Sequence, residues 1–132
     1  MDDTTRGYLE CALWSDLTCD DDPGTNHHEP LDRYYGLGDI PAAVVDRAAN
    51  VCAAFVAANA ADVDASDLSD GDVGHNLWLS RNGHGTGFWD RGLGDVGDRL
   101  HAAAEVLGET SLIGNAAREP LDLWDECPAA RD

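Results

Sequence analysis

The stretch NLWLSRNGHGTGFWD, residues 76–90, is the part of the sequence on which the fold prediction depends. Bulky apolar side chains flank a polar, glycine-rich centre that consists of Asn82, Gly83, His84, Gly85 and Gly87. An Asn-Gly pair favours positive φ at both central positions of a two-residue turn. The sequence therefore predicts a Trp-rich β-hairpin here, and the additional glycines also permit a longer loop with a bulge.

Helices are predicted on both sides of this hairpin. The spacing of apolar residues over 4–17 predicts an amphipathic helix that starts at Thr4 or Thr5. Asp39 followed by Pro41 is typical of a helix start, and the Ala-rich helix that follows is expected to end near residue 61. A third helix is predicted from Asp95 to the glycine at position 108.

Short apolar stretches at residues 110–113 and 121–124 predict further strands. Together these elements predict one α+β domain over residues 1–132. Its antiparallel sheet would have three to four strands centred on the hairpin, packed with about three helices. Acidic loops are expected near residues 19–32 and 62–74, because both stretches are rich in Asp and contain Gly with Ser or Pro.

The chain is strongly acidic. Its 132 residues include 26 Asp and Glu against 8 basic residues, all of them Arg, which gives a formal net charge of -18. A negative field of this size repels phosphate backbones, so the composition argues against direct nucleic-acid binding. It favours a basic partner protein or a salt-rich solvent, and the preference for Arg over Lys is typical of a GC-rich or halophilic host.

The four cysteines lie far apart without a CxxC motif, at positions 11, 19, 52 and 127. The C-x7-C-x7-H-H spacing from Cys11 to His27 and His28 matches no compact zinc module, so we expect no metal and no cofactor. The start MDDTTRGYLE has no signal-peptide character, and the Ala-rich stretch 41–61 is too polar for a membrane span. We therefore expect a cytoplasmic protein with reduced thiols.

The segment His75–Leu100, HNLWLSRNGHGTGFWDRGLGDVGDRL, resembles a family of small proteins from tailed phages and prophages. The core of that family reads Phe-Trp-Leu-Thr-Arg-Asn-Gly-His-Gly-x-Gly-Phe-Trp-Asp; Ser80 replaces its Thr and Leu77 its Phe. The resemblance covers most of the first 107 residues, and the C-terminal end departs from it. It implies a viral or mobile-element origin and no mechanism, so the cytoplasm expected above would be that of the host cell.

The predicted hairpin is one candidate binding region. It would place Arg81, Asn82, His84, Trp89 and Asp90 near a concavity, where they could bind a small ligand or act in nucleic-acid processing. Turn geometry, a structural ion pair and aromatic core packing explain the same residues without a ligand. The sequence contains no GxSxG, P-loop, HExxH or dinucleotide fingerprint, so we expect a protein that is not an enzyme.

The acidic segments are the other candidate. Carboxylates at phosphate-like spacings can occupy the nucleic-acid channel of a basic protein. The residues expected to do this are Asp20, Asp21, Asp22, Asp62, Asp64, Asp67, Asp70 and Asp72. Several phage inhibitors of restriction and CRISPR systems are strongly acidic, so our hypothesis is a DNA mimic that acts against a host defence protein. Adaptation of the surface to molar salt explains the same composition and stays open.

Overall fold

The computed structural model describes residues 1–18, 29–114, 118 and 120–125, and this part of the chain is mainly helical. The helices are α1 (Asp3–Ser15), α2 (Ala42–Ala58), α3 (Ala60–Ser66), α4 (Asp70–Arg81) and α5 (Asp95–Glu105). Short 3-10 turns occupy Leu31–Arg33, Leu37–Asp39 and Phe88–Asp90. The strands β1 (Thr110–Ile113) and β2 (Asp122–Asp125) form one antiparallel ribbon. The predicted α+β fold with a sheet of three to four strands is therefore wrong.

The helices predicted at residues 4–17, 39–61 and 95–108 are present with shifted ends. The N-cap of α1 is Asp2, whose carboxylate accepts the backbone N–H of Thr5 at 2.7 Å. The N-cap of α2 is Pro41, while Asp39 accepts the backbone N–H of Gly36 at 2.7 Å. The N-cap of α5 is Gly94. The predicted cap residues Thr4 or Thr5, Asp39 and Asp95 are therefore wrong, although each helix starts within three residues of its predicted start.

The predicted hairpin at 76–90 is wrong, because its first half is the end of α4. Gly83 has a φ of 65°, but this positive φ ends a helix. The N–H of Gly83 donates to Ser80 O at 3.4 Å and that of His84 to Leu79 O at 3.3 Å. These two hydrogen bonds form the Schellman arrangement, in which a left-handed glycine terminates a helix. An Asn-Gly pair after an apolar run is compatible with this ending as well as with a hairpin.

The acidic stretch 62–74, predicted to be a loop, is also helical. It contains most of α3 and the first half of α4, separated by Asp67 in the left-handed conformation with φ 57°. Ser69 is the N-cap of α4, and its hydroxyl accepts the N–H of Asp72 at 3.2 Å. Ser, Asp and Gly disfavour helix interiors but favour helix starts, so here they mark helix boundaries. Of the other predicted loop, residues 19–28 lie outside the described residues.

Helices α1 and α4 cross at a direct contact between their backbones. A Cβ atom on Gly74 would lie 1.9 Å from the carbonyl oxygen of Thr4, and one on Gly7 would lie 2.1 Å from that of Gly71. No side chain fits at either point, so only glycine permits this approach.

The crossing positions Trp78 at the centre of the core, where its side chain is fully buried. The ring of Tyr8 packs edge to face with that of Trp78 at a centroid distance of 5.0 Å, and the indole N–H of Trp78 donates to Ser15 Oγ at 2.9 Å. The apolar side chains that complete this core include Leu9, Leu13, Leu31, Val44, Phe55, Leu77, Phe88, Leu100 and Leu112. Nearly the whole circumference of α4 from Asn76 to Arg81 is buried, so α4 lacks the polar face by which a surface helix is recognised.

The contact between α1 and α4 is tested by two alanine substitutions on the same helix. We expect Gly74→Ala to lower the free energy of unfolding by at least about 2 kcal/mol, because the methyl group must displace the backbone of α1. In Gly71→Ala the new methyl group meets nothing within 4 Å. That variant is expected to be neutral or slightly more stable, since Ala favours helix. Urea unfolding followed by circular dichroism measures both, and equal stabilities would contradict the described crossing.

Candidate protein-binding surface

Four of the acidic residues predicted to bind a partner lie exposed at the junction of α3 and α4. They are Asp64, Asp67, Asp70 and Asp72, and none forms an ion pair with the described residues. Asp70 and Asp72 occupy the first turn of α4, where the helix dipole favours negative charge. The helices hold the backbone of these residues in place, so the carboxylates are presented on a structured surface.

Asp62 differs from these four because it is bound within the protein. Its carboxylate accepts hydrogen bonds from Arg99 of α5 at 2.8 and 3.1 Å, which lowers the pKa of Asp62 below its usual range. The pair connects α3 to α5, so a structural role accounts for Asp62. The remaining predicted residues, Asp20, Asp21 and Asp22, lie outside the described residues.

A cleft of about 650 Å³ adjoins this surface between the N-terminal halves of α1 and α4. It is lined by four carboxylates, from Asp3, Glu10, Asp70 and Asp72, together with Arg6, Ser69 and His75. Arg6 pairs with Glu10 at 3.6 Å. Burial and, secondly, Arg91 lower the pKa of His75, so its imidazole is neutral near neutral pH. The cleft therefore has an excess of negative charge.

Trp14 lies beside His75, one of the residues that line the cleft, and it was not predicted as a site residue. Its side chain is 59% exposed, and its ring lies beside that of His75 at a centroid distance of 6.2 Å. An exposed Trp beside carboxylates suits the aliphatic and cationic parts of an Arg or Lys side chain. The sequence carries a signal for this exposure: Trp14 follows Glu10 by one helical turn, on the opposite side of the helix from the buried Leu9 and Ala12.

Arg81 and Asn82, predicted as possible ligand-binding residues, hold the C-terminal part of the fold. The buried guanidinium of Arg81 donates to the carbonyl oxygens of Gly108 at 2.8 Å and Leu107 at 3.1 Å, and to the Tyr8 hydroxyl at 2.9 Å. The side-chain oxygen of Asn82 accepts the N–H of Thr110 at 2.8 Å. Both residues thus bind the segment that leads from α5 into β1.

The other three residues of that predicted site have separate surroundings. Asp90 accepts the Thr86 hydroxyl at 2.8 Å and the Gly87 N–H at 3.1 Å, and these bonds lower the pKa of Asp90. His84 is exposed, and Trp89 is 48% exposed, with its ring nearly perpendicular to that of His101 at a centroid distance of 6.4 Å. The hydrogen bonds therefore explain most of the motif as structure, and they give no sign of a shared ligand pocket.

A chain of Ser80, His101 and Glu105 was not apparent in the sequence. Ser80 Oγ lies 3.0 Å from His101 Nδ1, and His101 Nε2 lies 3.3 Å from Glu105 Oε1. The order of groups is that of a hydrolytic triad. However, Ser80 is fully buried, its Oγ accepts the Phe88 N–H at 3.1 Å, and Gly87 packs directly upon it. A substrate has no access to this oxygen. The contacts of Ser80 with Gly87 and Phe88 instead hold the 87–88 turn against α4.

Asp16, whose side chain is partly buried, is a second group that was not apparent in the sequence. Burial raises the pKa of Asp16 to about 6, although the hydrogen bond from the N–H of Leu112 at 2.6 Å acts in the opposite direction. Burial also raises the pKa of the nearby Cys11 thiol to about 12, as it does for Cys52. These thiols stay protonated and are not activated as nucleophiles.

No three His, Cys, Asp or Glu side chains are arranged to hold a metal ion in the part of the chain that the structure describes. Cys19, His27, His28 and Cys127 lie outside that part. Among the described helices, none has both the length and the apolar character that are needed to cross a bilayer.

The chain matches no protein-family model, no curated protein and no solved structure. The resemblance to proteins of tailed phages and prophages therefore stays a prediction, and the function is argued from the surface described above.

The raised pKa of Asp16 gives an expected pH dependence. Its folded-state pKa lies above that of an unfolded Asp, so ionisation of Asp16 opposes folding, and this penalty grows as pH rises from about 4 to 6. Asp16→Asn keeps an oxygen for the Leu112 N–H without the charge. We expect it to raise the free energy of unfolding by about 1–3 kcal/mol near neutral pH, and the gain to vanish below about pH 4.

Urea unfolding across this pH range measures the effect, with Asp46→Asn as the control because Asp46 is an exposed position on α2. The control removes the same charge and is expected to change stability little. The same pH profile for Asp16→Asn and the wild type would contradict the assigned burial of Asp16.

Proposed function

We propose that this chain is a non-enzymatic acidic protein that binds a basic host protein at the surface its partner uses for nucleic acid. The observation that carries the proposal is the group of exposed carboxylates at Asp64, Asp67, Asp70 and Asp72, beside an acidic cleft. A nucleic-acid channel is lined by Arg and Lys and is complementary to such a surface.

The position of these carboxylates supports a binding role. Asp62 and Asp39 of the same chain have Arg partners at 2.8 and 3.4 Å, so the fold forms ion pairs where it uses them. The four carboxylates at the α3–α4 junction are left to solvent, which keeps their full charge available to a partner. Trp14 adds the large aromatic side chain that often dominates the binding energy of an interface.

The biological setting belongs to the proposal too. A phage or prophage protein in the host cytoplasm meets restriction and CRISPR complexes, which bind nucleic acid through basic surfaces. A small acidic protein would block such a complex by competing with its substrate. The hydrogen bonds of Arg81, Asn82 and Asp90 leave the alternative, ligand binding through residues 81–90, without a supporting observation.

The competing explanation of the charge, adaptation to molar salt, is tested by the salt dependence of folding. Asp3, Asp62, Asp70, Asp72, Asp95 and Asp98 lie in first turns of helices, where their charges favour the helix. We therefore expect the protein to be folded at about 0.15 M salt, with no large gain in helicity towards molar salt. Circular dichroism over a salt series measures this. A chain that is unfolded until salt becomes molar would show that salt adaptation accounts for the charge.

The binding surface is tested by a variant in which Asp64, Asp70 and Asp72 are all replaced by Asn. The matched control replaces Asp32, Asp95 and Asp98, which are exposed elsewhere; Asp95 and Asp98 occupy the first turn of α5, as Asp70 and Asp72 occupy that of α4. Both variants lose the same charge. We expect immobilised wild type and control to capture nucleic-acid-binding proteins from a bacterial lysate. The amount captured by the surface variant is expected to be at least about tenfold lower.

Duplex DNA added to the column separates mimicry from general stickiness. Under the proposal, DNA and rising salt release the captured proteins, because partner and DNA compete for one basic surface. An equal loss of captured protein in both variants would show that capture depends on net charge and not on this surface. Capture that is indifferent to DNA would contradict mimicry.

A further inference from the structure

An apolar groove of about 610 Å³ lies between α2 and the C-terminal end of α5, away from the acidic surface. Its lining is formed by Asn50, Val51, Ala54, Phe55, Ala58 and Asn59 on one side and by Ala103, Val106 and Leu107 on the other. Phe55 is buried and stacks on Phe88 at a centroid distance of 5.8 Å. Phe55 therefore gives the groove a floor that belongs to the core.

The groove exposes apolar surface in a chain that is otherwise highly charged. Val106 is 80% exposed, and Ala54 and Ala58 are exposed as well. Among the residues that the structure describes, no Asp or Glu side chain lines the groove. Contiguous exposed apolar surface with a polar rim is characteristic of a binding site.

The spacing of the lining residues is that of a helix-binding groove. On α2 they recur in pairs at 50–51, 54–55 and 58–59, and on α5 Ala103 is followed by residues 106 and 107. The α2 side extends over about 14 Å, which equals two to three turns of a bound helix. Ala54, Ala58 and Ala103 are small, so a partner backbone can approach closely.

The charge around the groove identifies the kind of partner. Asp46 lies one helical turn before Asn50, Asp62 lies in the first turn of α3 just after α2 ends, and Glu105 and Glu109 flank residues 106 and 107. Two arginines are nearby: Arg47 on α2, and Arg99, which is bound to Asp62. Four carboxylates thus stand against two arginines. The rim therefore has an excess of negative charge. A second copy of this chain would bring a further -18 charge to the same place, and repulsion disfavours it.

We propose that the groove between α2 and α5 binds one amphipathic helix of a partner protein, with an apolar face in the groove and Lys or Arg residues at its flanks. Apolar burial supplies the affinity, and the acidic rim selects basic flanks and excludes self-association. This site uses none of the carboxylates or the cleft of the proposed function, so each of the two proposals can fail without the other.

The test uses a defined probe, a fluorescent helical peptide with Leu at positions i, i+3, i+4 and i+7 and with Lys at both ends. A second peptide of identical composition has its Leu residues out of helical phase. Fluorescence anisotropy with the full-length protein is expected to show that the amphipathic peptide binds at least about tenfold more tightly than the scrambled one. Equal binding of the two would show that charge alone attracts the peptide and would overturn the proposal.

Matched variants locate the binding site. Ala54→Gln with Val106→Gln places polar side chains in the groove at exposed positions, so the core is untouched. Ala57→Gln with Ala102→Gln makes the same kind of change at exposed positions of the same helices outside the groove lining. We expect the groove variant to weaken binding of the amphipathic peptide at least about tenfold and the control variant less than about twofold. No loss in the groove variant, or the same loss in both, would place the peptide elsewhere.

Sedimentation of the wild-type protein without peptide tests whether a second copy of the chain occupies the groove. A monomer is expected. A dimer that the Ala54→Gln, Val106→Gln variant dissociates would show that a second copy fills the groove, and would overturn the proposal of a basic helix.

Discussion

The backbone contact between α1 and α4 is the constraint on which the other features of this protein depend. Gly7 and Gly74 each lie against a carbonyl oxygen of the opposite helix, so the two axes approach more closely than any side chain would allow. The approach buries Trp78 against Tyr8. It also brings the N-terminal turns of both helices, each rich in carboxylates, to the two walls of one cleft. The packing of the core and the negative charge of the cleft therefore have the same geometric cause.

Three successive residues at the end of α4 organise the remainder of the chain on this helix pair. The Ser80 hydroxyl accepts the N–H of Phe88, Arg81 donates to Gly108 and Leu107, and Asn82 accepts from Thr110. The side chains of three consecutive residues thus hold the 87–90 turn, the end of α5 and the start of β1. The motif that resembled a ligand-binding hairpin is explained as the place where the C-terminal third of the described fold attaches to α4.

Sequence reasoning succeeded where local rules decide the structure and failed where tertiary contacts do. The approximate positions of α1, α2, α5 and β1 follow from apolar spacing and from Pro and Gly signals, which act within a few residues, although the exact capping residues do not. Helix α4 was missed because its burial on most sides removes the periodicity of a surface helix. Its Asn-Gly ending carries the same local signal as a hairpin turn.

The candidate site divides in the same way. Composition alone indicated that Asp64, Asp67, Asp70 and Asp72 are displayed, because a short charged segment has few ways to bury its carboxylates. No local rule could show that Asp62 pairs with Arg99, 37 residues further on, or that the N–H of Leu112 meets Asp16 across 96 residues. Both contacts depend on how α5 and β1 pack on the helix pair, which is a property of the whole fold.

The charge and the apolar groove are best understood together. An exposed Val106 above an apolar groove would favour aggregation in a neutral protein. In this chain a net charge of -18 makes identical molecules repel each other, while a basic partner is attracted by the same field. At physiological ionic strength this field is screened over about 8 Å, so it acts on a molecule that has come within about that distance of the surface. A surface of this composition can keep an apolar site accessible and still discriminate by the sign of the partner's charge. For this reason the strong acidity and the exposed groove are compatible features of one binding protein.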